Sequence, residues 1–336
     1  MDKTNVIRAG VFGTVIGDAL GVPVEFAPRT MRVKDPVVDM REYGVHNQPK
    51  GTWSDDSSML LATMDSMITC KGMDYGDIME RFQAWIRKAE YTAHGRVFDI
   101  GITCSSAVRR YEPGINPLDC GGAGERDNGN GSLMRIMPVS LYDALRSDFR
   151  EDAVLAEAVT RSHYASCLTH RHPRSQMACA IYTAVCHELI YRDGRSIAEA
   201  LQSAMDLIMD YYSKADVTAP WYDQGFQNEL AFDTYGRLRD IASFGKLPER
   251  EIKSGGYVVH TLEAAIWCLL NTASFAECTL KTVNLGDDTD TVGAVAGGLA
   301  GLAYGYESIP KEWLEVIAKR EWIDRLCVDL SDLINA

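Results

Sequence analysis

Two short stretches of this chain carry the side chains best suited to chemistry. In the first, Ser54, Asp55, Asp56 and Ser57 stand directly before an apolar-periodic run, with Met59, Leu60, Met64 and Met67 on its buried side. In the second, Asp287, Asp288, Asp290 and Thr291 lead into Val292, Val295, Ala296, Leu299 and Ala303, close to the spacing of one helix face. One Asp at a helix start serves as a cap, because the free amides and the macrodipole favour negative charge there. Several carboxylates together repel one another and call for a compensating charge. Hydroxyl and carboxylate oxygens form the hard donor set that Mg²⁺ and Mn²⁺ prefer. Brought together, the two motifs could hold two divalent cations about 3.5–4 Å apart, as binuclear hydrolytic centres do. The competing reading is a pair of independently capped helices with solvated acids. The sequence contains no H-E-x-x-H, C-x-x-C or Glu-x-x-His, which argues against zinc proteases, structural zinc sites and ferritin-like di-iron bundles.

A third stretch, DNGNGSLMRIMP at 127–138, has Gly129 and Gly131 just before apolar periodicity that starts at Leu133. A glycine-rich turn feeding a helix can cradle a phosphate on its amides. It is neither a P-loop nor a dinucleotide fingerprint, and a plain glycine turn is the other reading.

These motifs need elements to position them, and the dominant pattern is helical. Segments 58–71, 76–89, 99–112, 152–161, 175–191, 196–213, 226–243, 259–272, 289–304 and 311–319 read as helices, while alternating strand patterns are nearly absent. The expected fold is all-α, a compact orthogonal multi-helix bundle in a single domain over 1–336. Long connections at 27–53, 113–131 and 244–257 each lead towards a polar motif, and long loops in compact domains often carry function. Two helices bear glycine stripes: Gly10, Gly13, Gly17 and Gly21 in the first, Gly293, Gly297 and Gly301 in the last long one. Each glycine inside a helix costs about 1 kcal/mol relative to alanine. Close approach of another helix or contact with a ligand would offset that cost.

The chain has 336 residues, 46% of them hydrophobic, and a formal net charge of -13. That charge excludes a nucleic-acid backbone or an anionic membrane as a general partner. No run of roughly 20 apolar residues stands out, so a membrane-spanning helix is not expected. The apolar run from Ala9 to Ile16 ends at Asp18 without a cleavage site, which argues against a signal peptide. Nine scattered cysteines in helix-like apolar context suggest reduced core thiols and a cytoplasmic location.

The motifs in combination resemble the ADP-ribosylglycohydrolase family, closest to its arginine-specific bacterial, dinitrogenase reductase-activating branch. The matching pieces are GVFGTVIGDALGVPVEF at 10–26, WSDDSSM at 53–59, FDIG at 98–101, GNGSLMR at 129–135, LTHRHP at 168–173, GGYVVHTLEAAIW at 255–267 and GDDTDT at 286–291. They occur in the family's order and span nearly the whole chain. The resemblance implies a cleft with two divalent cations, Mg²⁺ or Mn²⁺, on Ser54, Asp55, Asp56, Asp288, Asp290 and Thr291. It implies that Asn128, Gly129, Asn130, Gly131 and Ser132 hold the diphosphate and ribose of ADP-ribose, with His170 and Tyr257 near the adenosine. Asp99 matches the acid proposed to act on the scissile ribose, and Glu25 a glutamate that approaches the metals and water in other branches. On local grounds alone, His170 reads equally as a polar turn residue, Tyr257 as half-buried core, Asp99 as a helix cap and Glu25 as a surface acid near Arg29. Asp287 departs from the family pattern, where a small or amide residue precedes the D-T-D-T core.

The expected activity is metal-dependent hydrolysis of the ribosyl C1″ bond, releasing mono-ADP-ribose from modified proteins, with arginine the favoured linkage. Cleaving that bond develops oxocarbenium character and needs a positioned water and a proton for the leaving group. The alternatives are hydrolysis of serine-linked or small-molecule ADP-ribose esters, or a non-catalytic ADP-ribose binder or crystallin-like relative. The full set of oxygen ligands favours an enzyme.

Overall fold

The computed structural model describes residues 1–146, 148–214, 219 and 221–336. Among the described residues the chain forms sixteen α-helices and no strand. In chain order they are α1 (Lys3–Gly21), α2 (Arg29–Lys34), α3 (Asp55–Cys70), α4 (Tyr75–Lys88), α5 (Ile102–Arg110), α6 (Met137–Ala144), α7 (Asp152–Cys167) and α8 (Pro173–Ile190). The second half comprises α9 (Ile197–Ser213), α10 (Gln224–Phe232), α11 (Ile241–Phe244), α12 (Val258–Leu270), α13 (Phe275–Val283), α14 (Thr289–Tyr304), α15 (Lys311–Val316) and α16 (Arg320–Asn335). The fold is all-α.

The two glycine stripes face each other. A Cβ at Gly13 would lie 2.3 Å from the carbonyl oxygen of Gly297, one at Gly17 2.0 Å from that of Gly293, and one at Gly301 1.9 Å from that of Ala9. Helices α1 and α14 therefore run antiparallel with their backbones in direct contact, and the glycines serve packing. The direction of the pairing matters for the site. It sets the C-terminal end of α1, with Asp18 and Gly21, beside the N-terminal end of α14, with Asp288 and Asp290.

Around this pair, α12 and α13 pack on α14, while α8 lies among α6, α7, α9 and α12. A second, smaller cluster under α3, α4 and α5 includes Met59, Phe82, Trp85 and Cys104. The segment Lys3–Val24 is long and apolar enough by length and composition to cross a membrane, contrary to the sequence expectation, but it is buried inside this core.

Several helix boundaries differ from the sequence expectations for identifiable reasons. The 99–112 segment becomes helical only at Ile102, because Asp99 adopts a left-handed φ of 50°. Asp99 is therefore not a cap; Gly101 occupies that position. The 226–243 segment breaks at Asp233, which ends α10 with a left-handed φ of 50°. Residues 131–135 form turns rather than the start of a helix, and α6 begins at Met137 beside Pro138. The 311–319 segment ends at Val316, and left-handed Lys319 precedes α16.

Candidate active site

Asp18 organises the first acidic motif. Its buried carboxylate accepts from the Ser54 amide at 2.9 and 3.0 Å, from the Ser57 amide at 3.1 Å and from the Ser57 hydroxyl at 2.6 Å. These bonds fasten the start of α3 to the end of α1. Ser54 then caps α3: its hydroxyl accepts from the Asp56 amide and donates to Asp56 Oδ2 at 3.1 Å. In the sequence Asp18 stands out only as the acid that ends the apolar run; its role depends on partners 36 and 39 residues away.

The second motif arrives through the α1–α14 pairing. The Thr291 hydroxyl donates to Asp56 Oδ2 at 3.3 Å, so the two motifs meet at one carboxylate. Asp290 is fully buried, and its Oδ1 accepts from the Thr291 amide at 2.9 Å. Asp288 Oδ2 accepts from the Asn130 side-chain amide at 2.8 Å, and that amide also donates to the Thr261 hydroxyl at 2.9 Å. Glu25, Asp288 and Asp290 each place a carboxylate oxygen within 4.8 Å of the others. Asp56 Oδ1 and Asp290 Oδ2 are buried and without a hydrogen-bond partner. A buried carboxylate oxygen left unpaired is costly, and a cation is the partner that suits it. The donor set fits hard divalent ions.

The electrostatics point the same way. Burial, reinforced by the neighbouring carboxylates, pushes Asp55, Asp56 and Asp290 well above the usual carboxylate range. Burial raises Asp288 too, partly offset by the hydrogen bond from Asn130. Asp18 is pushed up by burial to about 6, against the hydrogen bonds from Ser57 and Ser54.

The motifs open onto a cavity of about 670 Å³ whose walls include Glu25, Asp55, Asp99, Gly131, His170 and Asp288. Burial raises Glu25 to about 7, with Asp99 and Asp288 adding to the effect and the hydrogen bond from His46 opposing it. Glu25 and His46 form a close side-chain pair, and Asp99 joins them with ligand atoms within 4.8 Å. Glu25 is thus a buried wall of the cavity rather than a surface acid near Arg29, which instead donates to the Leu285, Glu249 and Ile252 carbonyls. His46, in the long 27–53 connection, was not singled out from the sequence.

The glycine-rich turn is pinned to the start of α12. The Asn130 amide donates to the Gly256 carbonyl at 3.1 Å, and the Val258 amide to the Asn128 carbonyl at 3.1 Å. One amide expected to face a diphosphate is therefore committed elsewhere. Gly129, Asn130 and Gly131 line the cavity. Ser132 is fully buried behind them, where its hydroxyl accepts from Ser166 at 2.9 Å. A Cβ at Gly131 would come within 2.6 Å of Cys104 Sγ and 2.8 Å of His170 Cε1, so glycine is required there by the cavity wall itself. His170 is a buried wall residue whose pKa burial lowers to about 3, with nearby Arg135 acting in the same direction. Its ring is therefore neutral. Tyr257 is half-buried at the start of α12, edge-on to His260.

The family model described as ADP-ribosylglycohydrolase matches residues 1–336. The chain is 32% identical over 324 residues to ADP-ribosylarginine hydrolase Tri1 of Serratia proteamaculans, covering 96% of this chain and 78% of that one. It is 30% identical over 312 residues to the ADP-ribosyl-[dinitrogen reductase] glycohydrolase of Rhodospirillum rubrum, covering 90% and 86%. Among solved structures, one described as an ADP-ribosylglycohydrolase-related protein complex superimposes with a TM-score of 0.73 at 27% identity, covering 99% of both chains.

Proposed function

The chain belongs to the ADP-ribosylglycohydrolase family, and from that premise we propose that it removes mono-ADP-ribose from arginine side chains of modified proteins, using two divalent cations. As a member it is a glycosidic-bond hydrolase acting on ADP-ribose linkages. The arginine linkage is supported by the relatives at 30% and 32% identity, which are named for ADP-ribosylarginine and for dinitrogen reductase. The observation that carries the metal reading is the convergence of both acidic motifs on Asp56, with Asp56 Oδ1 and Asp290 Oδ2 buried and unpartnered.

In this reading Ser54, Asp55, Asp56, Asp288, Asp290 and Thr291 hold Mg²⁺ or Mn²⁺. When bound, the ions supply Lewis-acid charge for the ribose hydroxyls and make a water more acidic. The chain's own groups do the rest. Gly129, Asn130 and Gly131 shape the wall for the diphosphate and ribose, with Asn128 and Ser132 bracing them from behind and His170 and Tyr257 towards the adenosine. Hydrolysis breaks the C1″–N bond and adds water to C1″. Water loses a proton to a carboxylate, Glu25 or Asp99, as it adds to C1″, and that same proton is returned to the guanidine nitrogen released from C1″, so the leaving group ends as a guanidinium. Asp99 is the favoured group for the arginine linkage because it lines the cavity and matches the acid of the arginine-specific branch. The net charge of -13 supports a protein substrate over nucleic acid or an anionic membrane. Nine free thiols, eight of them buried, support a reducing, cytoplasmic setting.

The test is incubation with arginine-, serine- and ester-linked ADP-ribose, with Mg²⁺, Mn²⁺ or a chelator. Release from arginine only when a divalent ion is present is the expected result. Release from serine but not arginine would overturn the linkage, and undiminished release in chelator would overturn the metal requirement.

A further inference from the structure

The cavity mouth contains two residues that the proposed reaction does not use, and the backbone ties them together. The Phe26 amide donates to the Asp287 carbonyl at 2.7 Å, and the Asp287 amide donates to the Ala27 carbonyl at 2.9 Å. Both residues sit in the left-handed region, Phe26 at φ 61° and Asp287 at φ 62°. A bulky aromatic in that region is strained, and such strain clusters at ligand clamps. Phe26 is also 63% exposed, a second cost for the free protein. Its ring lies 6.0 Å from that of His46, whose own ring is 5.1 Å from Phe98, so an aromatic row borders the mouth.

Carboxylates dominate the charge around that row, in which His46 pairs with Glu25. Glu25, Asp55, Asp99, Asp287 and Asp288 line the cavity, and no lysine or arginine does among the described residues. Asp55 and Asp288 belong to the proposed metal set, and Glu25 lies against it. Asp99 and Asp287 remain for the substrate. Asp287 is exposed, and Arg29, which braces the same loop, spends its guanidinium on carbonyl oxygens rather than on Asp287.

We propose that Phe26 and Asp287 form a seat for a planar cationic leaving group, the guanidinium of an ADP-ribosylated arginine, and so determine linkage specificity. A guanidinium stacks on an aromatic face and pairs its in-plane donors with a carboxylate. The mutual backbone bonds hold the two residues side by side at the cavity mouth, which limits the ordering that such recognition must still supply. A neutral serine hydroxyl would use neither group. The subsite rests on the arginine reading proposed above and adds to it the residues that select arginine.

The experiment uses the full chain with Mn²⁺ and three readouts: kcat/KM on arginine-linked ADP-ribose, calorimetric binding of methylguanidine in the presence of ADP-ribose, and ADP-ribose affinity. Asp287→Asn and Phe26→Leu are exposed substitutions that keep the fold. Each should lower kcat/KM and weaken methylguanidine binding by about tenfold, the size of one lost charge-assisted contact, with ADP-ribose affinity unchanged. Wild-type cleavage of the arginine linkage together with unchanged variants would overturn the seat and leave the proposed function standing. Failure of the wild type to cleave that linkage would sink the function reading separately. Methylguanidine binding is read in either case, and its absence from the wild type overturns the seat.

Discussion

The Thr291 hydroxyl donates a 3.3 Å hydrogen bond to Asp56 Oδ2, across 235 residues of sequence. That bond joins two helix starts whose acids would otherwise only repel. It exists because glycines on α1 and α14 let the two backbones touch, which carries Asp288, Asp290 and Thr291 to Asp18 and the start of α3. The other oxygen of Asp56 and one oxygen of Asp290 are left buried without partners.

Removing one of those charges should therefore have opposite effects with and without metal. Asp290→Asn is expected to raise the melting temperature of the metal-free protein, because it relieves buried like-charge repulsion. It should also abolish the cation-induced rise in Tm, which for the wild type reflects about 2.7 kcal/mol of stabilisation per site at a hundredfold excess over Kd. Activity should fall together with metal affinity. Calorimetric Mn²⁺ titration and thermal melts check both; full turnover at low metal would remove Asp290 from the ligand set.

The same buried acids give the metal-free protein a definite pH dependence. Glu25 is raised from 4.5 to about 7 and Asp18 from 3.8 to about 6, mainly by burial. Through these acids the native state binds more protons than the unfolded chain, so stability falls as pH rises; buried His170 and His163, lowered to about 3, act in the opposite direction only below their unfolded value of about 6.5. His46, raised by its hydrogen bond to Glu25, acts in the same direction, since its stabilisation is lost as pH climbs through its folded pKa. Melts in chelator should give a lower Tm at pH 8 than at pH 6.5. Added Mn²⁺ should raise Tm more at pH 8, where the ligands are already ionised.

The α1–α14 contact should tolerate no side chain. A Cβ at Gly13 would lie 2.3 Å from a backbone oxygen of Gly297, and backbone cannot step aside as a flexible side chain can. Gly13→Ala is expected to cost about 1–3 kcal/mol or more in denaturant unfolding, despite the better helix propensity of alanine. It should also weaken metal binding, because the helix pair positions Asp18 against the second motif. A stable variant with normal Mn²⁺ affinity would show that the pair can separate without consequence for the site.

Much of this arrangement was legible in the sequence because it is local. Ser54, Asp55, Asp56, Asp288, Asp290 and Thr291 lie in two contiguous motifs at helix starts, and the helical period of α3 and α14 marks those starts. The roles of Asp18, His46 and Thr261 were not legible, since each acts on a group distant in sequence and none sits in a recurring pattern. The break at Asp233 depends on a single left-handed residue, which the apolar period across 226–243 masks. The last helix was legible and the expected helices stopped short of it: Ile323, Leu326, Cys327, Leu330 and Ile334 follow the helical spacing and are buried. Gly131 was marked from the sequence as a position needing glycine for close approach of a diphosphate; the structure adds a neighbour distant in sequence, Cys104, that requires glycine there as well.

That neighbour makes the role of Gly131 separable from general damage. Gly131→Ala would push a methyl group into Cys104 Sγ and His170 Cε1. ADP-ribose affinity should fall as the wall shifts. Adding Cys104→Ala removes the closer of the two contacts and should restore part of the affinity, a coupling expected of residues that touch. Calorimetry on the two single variants and the double variant checks this. Strict additivity of the two substitutions would mean that the turn acts through some route other than its contact with Cys104.

The final prediction concerns Asp99 and the bond that breaks. Asp99 holds a left-handed φ of 50° just before α5 and lines the cavity, with a ligand atom within 4.8 Å of Glu25 and His46. A carboxylate there can relay a proton to the departing guanidine nitrogen and stabilise the positive charge that grows at C1″, an interaction that strengthens as the C1″–N bond lengthens. Contacts made only in the transition state appear in kcat and leave ligand affinity unchanged. Asp99→Ala should therefore cut kcat on arginine-linked substrate by about a hundredfold or more, the usual range for a lost acid–base group, while ADP-ribose binds as before. Glu25→Gln provides the contrast. Its carboxylate lies within 4.8 Å of those of Asp288 and Asp290, so its loss should disturb Mn²⁺ affinity along with rate. If Asp99→Ala kept wild-type turnover while Glu25→Gln lost activity with metal binding intact, the acid–base role would move to Glu25.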